Sequence, residues 1–347
     1  MNERARLTEL DALRGIAAAA VVVYHYTLFA YENIKLPASP LMQSPALSWL
    51  YPFYTGEYGV SLFFVISGFV ISMTLERIKR PMDFLVSRFS RLYPAFWCGV
   101  VVTTIFRLAV WREDFDLEFF VTNLTMFPTW FGQTYTDGVY WTLNVEMQFY
   151  AIMLLLWRLK ALEHVEFVCI GWFVLLAATQ LTAGHGFASI ANVVSDVLIL
   201  KHIPLFGAGM MFYRIHAAGV TKGRLAVIAI AGLATWLSGN VLKSAVVTVV
   251  FLVMGLLCAR KLDALANSRT LRWLGDRSYA IYLVHSMIGL MLMQKLVSLG
   301  IVLMFLIPLL VSITIAEVIN RAVEKPSLNA IRRWYSKRNV RTAAVAS

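Results

Sequence analysis

The sequence predicts an all-α, polytopic membrane protein: a helical bundle of about ten transmembrane helices with both termini in the cytoplasm. Three observations predict it. Hydrophobic residues fill 59% of the 347 positions and charged residues 15%, with a mean hydropathy of +0.68; soluble domains run nearer ~45–50% apolar and ~25% charged. Apolar runs recur at the ~17–25 residues that cross a bilayer. Lysine and arginine are also segregated between alternate loops. A water-soluble enzyme, a disordered chain and a disulfide-stapled secreted domain are excluded.

The runs fall at 12–30, 58–76, 93–111, 139–157, 165–183, 194–213, 224–241, 243–260, 278–296 and 300–322. The first follows Arg4 and Arg6 and imitates a signal peptide. Its alanines, Ala17 to Ala20, open the apolar stretch instead of closing it, so it reads as an uncleaved span. The stretch 224–260 is divided only at Gly239, Asn240 and Lys243. With the N-terminus cytoplasmic, all of the 31 lysines and arginines face that side except Lys35, Arg107, Arg112, Lys201, Lys243 and Lys295. That bias sets the orientation and an even span count.

The same segregation accounts for the net charge of +11. The basic tail, 323–347 beyond a membrane domain of 1–322, reads as an anchor facing lipid headgroups, with no nucleic-acid partner. No internal repeat is visible. The longest outer loops are 31–57 and 112–138. The first carries Pro37, Pro40, Pro45 and Pro52 with Trp49, Tyr51 and Tyr54; the second carries Asn123, Pro128, Trp130, Tyr135 and Asp137. Their aromatics suit an interfacial belt or a platform for stacking sugars. Cys98, Cys169 and Cys258 sit inside apolar runs without CxxC spacing and read as small buried hydrophobes. Neither a metal site nor a bound cofactor is expected.

Ionisable groups inside spans are costly and mark functional candidates. Arg14 and His25 lie eleven residues apart, a rise of about 16 Å that returns to nearly the same helix face. One helix thus offers a cation near the cytoplasmic surface and an imidazole near mid-membrane, or else a topogenic arginine and a structural histidine. Arg88 and Arg91 share a face at i, i+3, where guanidinium forks suit phosphate; the positive-inside rule also accounts for them. Glu146, in the fourth span, needs a partner or a proton. Pairing with His25 would free the other ring nitrogen as a base; a structural hydrogen bond is the alternative. Asp196, Lys201 and His202 in the sixth span, and Tyr279, Tyr282 and His285 in the ninth, are polar candidates for support or for structural packing.

These stretches resemble the integral-membrane acyltransferase-3 family, the membrane O-acyltransferases of bacterial surface glycans. The resemblance rests on Leu10-Asp-Ala-Leu-Arg-Gly15 with His25, on Gly59-Val-Ser-Leu-Phe-Phe-Val-Ile-Ser-Gly-Phe69, and on Arg88 and Arg91 before Pro94. It continues through Trp141-Thr-Leu-Asn-Val-Glu146 with Phe149 and Tyr150, Phe206-Gly-Ala-Gly209, Ser278-Tyr-Ala-Ile-Tyr-Leu-Val-His285 and Glu324-Lys-Pro326. Thr142 stands where many members have serine, a mild change.

The resemblance implies transfer of an acyl group, usually acetyl, from cytoplasmic acyl-CoA to a hydroxyl of a glycan or glycolipid. It implies a catalytic His25 and donor-side roles for Arg14, Arg88 and Arg91. It also implies a multi-pass protein of the bacterial inner membrane. Some members carry a fused periplasmic domain, and the short stretch after Ala322 leads us to expect the stand-alone form. An alkyl hydroxyl is a poor nucleophile at neutral pH, so His25 is expected to act as general base with Glu146 orienting it. A covalent acyl-histidine is the rival scheme. Trp141, Tyr282, His285, Lys201 and His202 are candidates for acceptor contact, oxyanion stabilisation or support. The competing functions are acylation of a lipid or small molecule, and a glycolipid flippase without enzymatic activity.

Overall fold

The computed structural model describes residues 7–29, 55–182 and 188–345. The prolines and aromatics singled out in the first outer loop lie outside the described residues. Among the described residues every regular element is helical. The α-helices are α1 (Thr8–Tyr24), α2 (Gly59–Leu75), α3 (Pro81–Phe106), α4 (Leu117–Leu124), α5 (Trp141–Arg158), α6 (Val165–Thr182), α7 (Ala188–Val197) and α8 (Ile203–Ala218). They continue as α9 (Lys222–Ser238), α10 (Val241–Cys258), α11 (Asp263–Asn267), α12 (Arg269–Val284), α13 (Ser286–Leu296), α14 (Ile301–Val318) and α15 (Lys325–Val345). Wider π turns follow α1 at His25–Phe29, α3 at Arg107–Trp111 and α14 at Ile319–Glu324.

Six helical stretches are long and apolar enough to cross a membrane, and a bent pair makes a seventh if it counts as one span. The chain is a multi-pass membrane protein. Helices α1, α8 and α9, at 17, 16 and 17 residues, fall just short of the same length.

The helix limits follow local chemistry. Pro81 starts α3, where a missing N–H costs nothing, and the Asp83 carboxylate accepts from Arg80 N at 3.1 Å. The doubtful break at 239–243 is real: the Asn240 side chain accepts from Lys243 N at 2.7 Å and caps α10.

Two runs expected to be single spans are broken. The run 194–213 is interrupted between α7 and α8, where Ile199 adopts φ 50° and Pro204 opens the next helix. The run 278–296 bends by 67° at His285, between α12 and α13.

The chain forms two compact units. The first comprises Met1–Val21, Thr55–Ile78 and Asn144–Gly275; the second comprises Val22–Tyr54, Lys79–Leu143 and Asp276–Ser347. In the first unit, α2 packs on α8 backbone to backbone. A Cβ on Gly68 would lie 2.2 Å from the Phe206 carbonyl oxygen, and one on Gly209 would lie 2.0 Å from that of Val65. Phe206 also stacks on Phe149 at 4.0 Å between ring centres. Two of the sequence stretches that suggested function are thus helix-crossing residues, as small-residue packing in a bilayer requires.

In the second unit, α13 packs on α14 and on the turn after α1, while α15 packs along α3. Asn123 organises the loop 112–138: its amide donates to Thr134 O at 3.0 Å and its oxygen accepts from Thr136 N at 2.7 Å.

Candidate active site

His25 opens the π turn that follows α1, a widened geometry often found at functional positions. Its neighbour Tyr26 is fixed from both sides. The Tyr26 hydroxyl meets Ser312 Oγ at 2.7 Å, and its ring fills the space over Gly289, where a Cβ would lie 2.3 Å away. His25 itself is half-buried.

The ring it faces is His285. The centroids are 5.0 Å apart and nearly perpendicular, and His25 Nδ1 lies 3.4 Å from His285 Nε2. His285 is fully buried. Its Nδ1 faces two carbonyl oxygens, Tyr282 at 3.0 Å and Ile281 at 3.2 Å. Carbonyls only accept, so Nδ1 carries the proton and Nε2 of the neutral ring carries the lone pair. The contact between the histidines is then a hydrogen bond when His25 donates from Nδ1. Neutral His25 in that form carries its own lone pair on Nε2. These tautomers are assigned from the partners.

The bend that presents His285 is held by a residue 150 positions upstream. Asp137 Oδ2 accepts from Met287 N at 2.8 Å, in the first turn of α13, while Oδ1 accepts from Val139 N at 3.2 Å. A carboxylate at a helix N-terminus satisfies exposed donors and meets the positive end of the dipole. Asp137 is fully buried, just outside the apolar helix Gly138–Arg158. Burial pushes its carboxyl up to about 6, against the pull of those two donors, Ser286 and the Arg107 guanidinium.

Tyr282 packs beside His285 and is tied down through its hydroxyl, which lies 2.7 Å from Thr142 Oγ1 and 3.0 Å from Val139 O. The threonine keeps the hydroxyl that a serine would supply. Trp141 begins α5 and is 39% exposed.

Arg88 is buried on α3 with its guanidinium 5.6 Å from the Phe84 ring centre, and Arg91 follows one turn later, half-buried. The second unit therefore brings together His25, His285 and Tyr282, and separately Arg88 and Arg91.

Tyr279, also in the second unit, donates its hydroxyl to Leu92 O at 2.9 Å, whereas Arg14, Glu146, Lys201 and His202 belong to the first unit. Arg14 pairs with Asp11 at 3.4 Å. Glu146 accepts from Ser67 Oγ at 2.7 Å and from the Tyr150 hydroxyl. Lys201 is exposed and pairs with Asp196 at 3.5 Å; His202 packs on the Phe64 ring at 5.1 Å. This unit also has a cavity of about 650 Å³ lined in part by Glu76, Trp157, Arg158, Lys160, Glu163 and Arg214.

Sequence reasoning missed Asp137 as a site residue. The signal was an Asp-Gly pair immediately before an apolar run, a turn and cap pattern. It also missed Ser67 and Tyr150, whose hydroxyls reach Glu146. Tyr150 stands at i+4 from it, the spacing that places side chains on one helix face.

A family model described as Acyltransferase domain matches residues 7–320. The peptidoglycan O-acetyltransferase OatA of Listeria monocytogenes is 24% identical over a match covering 81% of this chain and 49% of that protein. Nodulation protein 10 of Rhizobium leguminosarum bv. viciae is 28% identical over 43% of this chain and 44% of that protein. The exopolysaccharide production protein ExoZ of Rhizobium meliloti is 32% identical over 29% and 34%, respectively. The chain spans less than half the length of each of these three. No solved structure matches it.

Proposed function

We propose, because the chain belongs to the family described as Acyltransferase domain, that it is a membrane O-acyltransferase. It moves an acyl group, acetyl by preference, from cytoplasmic acyl-CoA to a hydroxyl of a cell-surface or exported glycan. The glycan acceptor is favoured by the named activities of two relatives, peptidoglycan O-acetylation and exopolysaccharide production.

The observation that carries the chemistry is the contact between His25 and His285. His285 holds its proton on Nδ1 against two carbonyls and accepts from His25 Nδ1 through Nε2. His25 Nε2 then takes the proton from the acceptor hydroxyl. The hydroxyl oxygen attacks the thioester carbonyl carbon, the C–S bond breaks, and the thiolate of coenzyme A leaves. The imidazolium returns the proton to that thiolate. Such a base contributes roughly 10²–10⁴-fold in rate. Glu146 enters from the sequence as the carboxylate that stabilises the imidazolium. Arg14, Arg88 and Arg91 enter as ligands for the phosphates of the donor, for which paired guanidinium groups are suited.

Topology follows the same premise. The six long apolar helices and the bent pair support seven of ten spans in the bacterial inner membrane, and on this reading α1 with its π turn, α8 and α9 are the other three. The cationic loops put both termini in the cytoplasm, on the side of acyl-CoA.

NMR of the surface glycans tests this in three strains: the parent, a gene deletion, and the deletion carrying His25→Ala at matched protein level. A specific O-acetyl signal should vanish in both altered strains. A signal kept by His25→Ala would remove the histidine from the chemistry. Unchanged glycans in all three would turn attention to lipid or small-molecule acceptors and to transport.

A further inference from the structure

The helix α15 is more than a row of positive charge. Tyr335 donates its hydroxyl to Asp83 Oδ1 at 2.8 Å, and the Arg80 guanidinium lies over the Tyr335 ring at 5.9 Å. This pins α15 against the start of α3. From that pin the two helices run past each other in opposite senses. One turn back along α15 stands Arg332, whose charged neighbours are Arg88 and Arg91 of α3. Further back, Glu324 has Arg91 and Lys325 beside it. The levels are therefore Asp83 with Tyr335, Arg88 with Arg332, and Arg91 with Glu324. At ~1.5 Å per residue, the step from Asp83 to Arg88 is about 7.5 Å and that from Tyr335 to Arg332 about 4.5 Å.

The result is a graded cluster of guanidinium groups. Arg88 is buried, Arg91 is half-buried and Arg332 is exposed. Glu324 supplies one counter-charge beside Arg91, and its carboxylate is also held by Asn320 Nδ2 at 3.0 Å. Three arginines and Lys325, against the carboxylates of Glu324 and Asp276, still leave a surplus of positive charge on packed helices. Like charges on neighbouring packed helices repel, and an anion that enters from the exposed side relieves the repulsion.

We infer that Arg332 on α15 completes, with Arg88 and Arg91 on α3, a binding site for a phosphate-bearing anion. Guanidinium forks from two helices grip such an anion from more than one direction, as a flexible lysine tail would not. The anion's identity as the acyl donor rests on the function proposed above; the site itself does not. An anionic lipid headgroup carries the same chemistry.

The test uses the full chain in nanodiscs of zwitterionic lipid, with coenzyme A and inorganic pyrophosphate as separate probes. Arg332→Gln should weaken both roughly tenfold or more, the loss of one charge-assisted hydrogen bond. Arg332→Lys should recover part of the loss, and Arg338→Gln, further along the same helix, should bind as the parent does. Repeating the titration with phosphatidylglycerol present separates the sources: competition assigns the phosphate to a lipid, and unchanged binding assigns it to a soluble ligand. Either result upholds the site. Arg332-dependent binding of pyrophosphate without binding of coenzyme A would uphold the site and remove the donor assignment. Coenzyme A binding that ignores Arg332 would keep the donor assignment and overturn the inference. A parent protein that binds neither probe would overturn both.

Discussion

Two apolar runs that the sequence presents as single spans are broken in the structure, and the two breaks are unlike. Between α7 and α8 the interruption is local. Ile199 turns with positive φ and Pro204 starts the next helix. Ile199 and Leu200 turn their side chains inward, and the ion pair there, Lys201 with Asp196 at 3.5 Å, lies in the open. At His285 the interruption is made from a distance. Asp137, 150 positions away in sequence, caps the first turn of α13, and the histidine between the helices is fully buried against another histidine. The first break only redirects the chain. The second places an imidazole with a fixed proton. Breaks of helices within membrane proteins are tolerated where protein groups re-satisfy the backbone, and the groups that do so decide what the break is for.

The largest contrast should appear in catalysis. His285→Ala removes the acceptor that faces His25 Nδ1, and turnover should fall roughly 10²–10⁴-fold, as when a base loses its orienting partner. His285→Gln should recover part of it. His202→Ala, at the other break, where the ring packs on Phe64, should stay within about twofold, since truncating a packing polar residue changes little. Initial rates with purified protein in nanodiscs give this comparison.

Stability should show the next contrast. Asp137→Ala strips a partner from Met287 N and Val139 N in a buried place and should cost about 2–3 kcal/mol. Asp196→Ala breaks an exposed ion pair and should cost within about 0.5 kcal/mol. Thermal unfolding in one detergent, read for both variants, is sufficient.

A smaller effect is set by pH. The folded protein holds the Asp137 proton up to about 6, and the unfolded chain releases it near ~3.9. Between those values the folded state binds the extra proton, so this group's contribution to stability falls as pH rises from about 4 to about 6 and is level above. Asp137→Asn should remove that slope. A slope that survives in the variant would assign the titration to another group.

Much of this was legible in the sequence. Apolar run length marked out the helices, and Gly239, Asn240 and Lys243 marked the break before α10. His25, Arg88 and Arg91 stood out because charge in an apolar run is costly. The break before α8 carried its own signal in Pro204. The bend at His285 did not: its cause is a contact between Asp137 and Met287, and the Asp137-Gly138 pair signals a turn and a cap in its own stretch without pointing to Met287. The partner of His25 was hidden for the same reason. A residue's chemical type can be read along the chain, but the ring it faces depends on tertiary packing. Arg332 was read as one of many tail cations because only its packing beside Arg88 sets it apart from Arg333 or Arg338.

The most direct test is acceptor-dependent release of coenzyme A from acetyl-CoA by the purified protein, across pH 5–9. It should compare the parent with His25→Ala and His285→Gln. Transfer should be lost in His25→Ala. In His285→Gln it should persist at a reduced rate, with its pH midpoint moved because the group holding His25 Nδ1 has changed. Undiminished transfer by His25→Ala, or a His285→Gln profile identical to the parent in both rate and midpoint, would contradict a base whose tautomer is set by its neighbour.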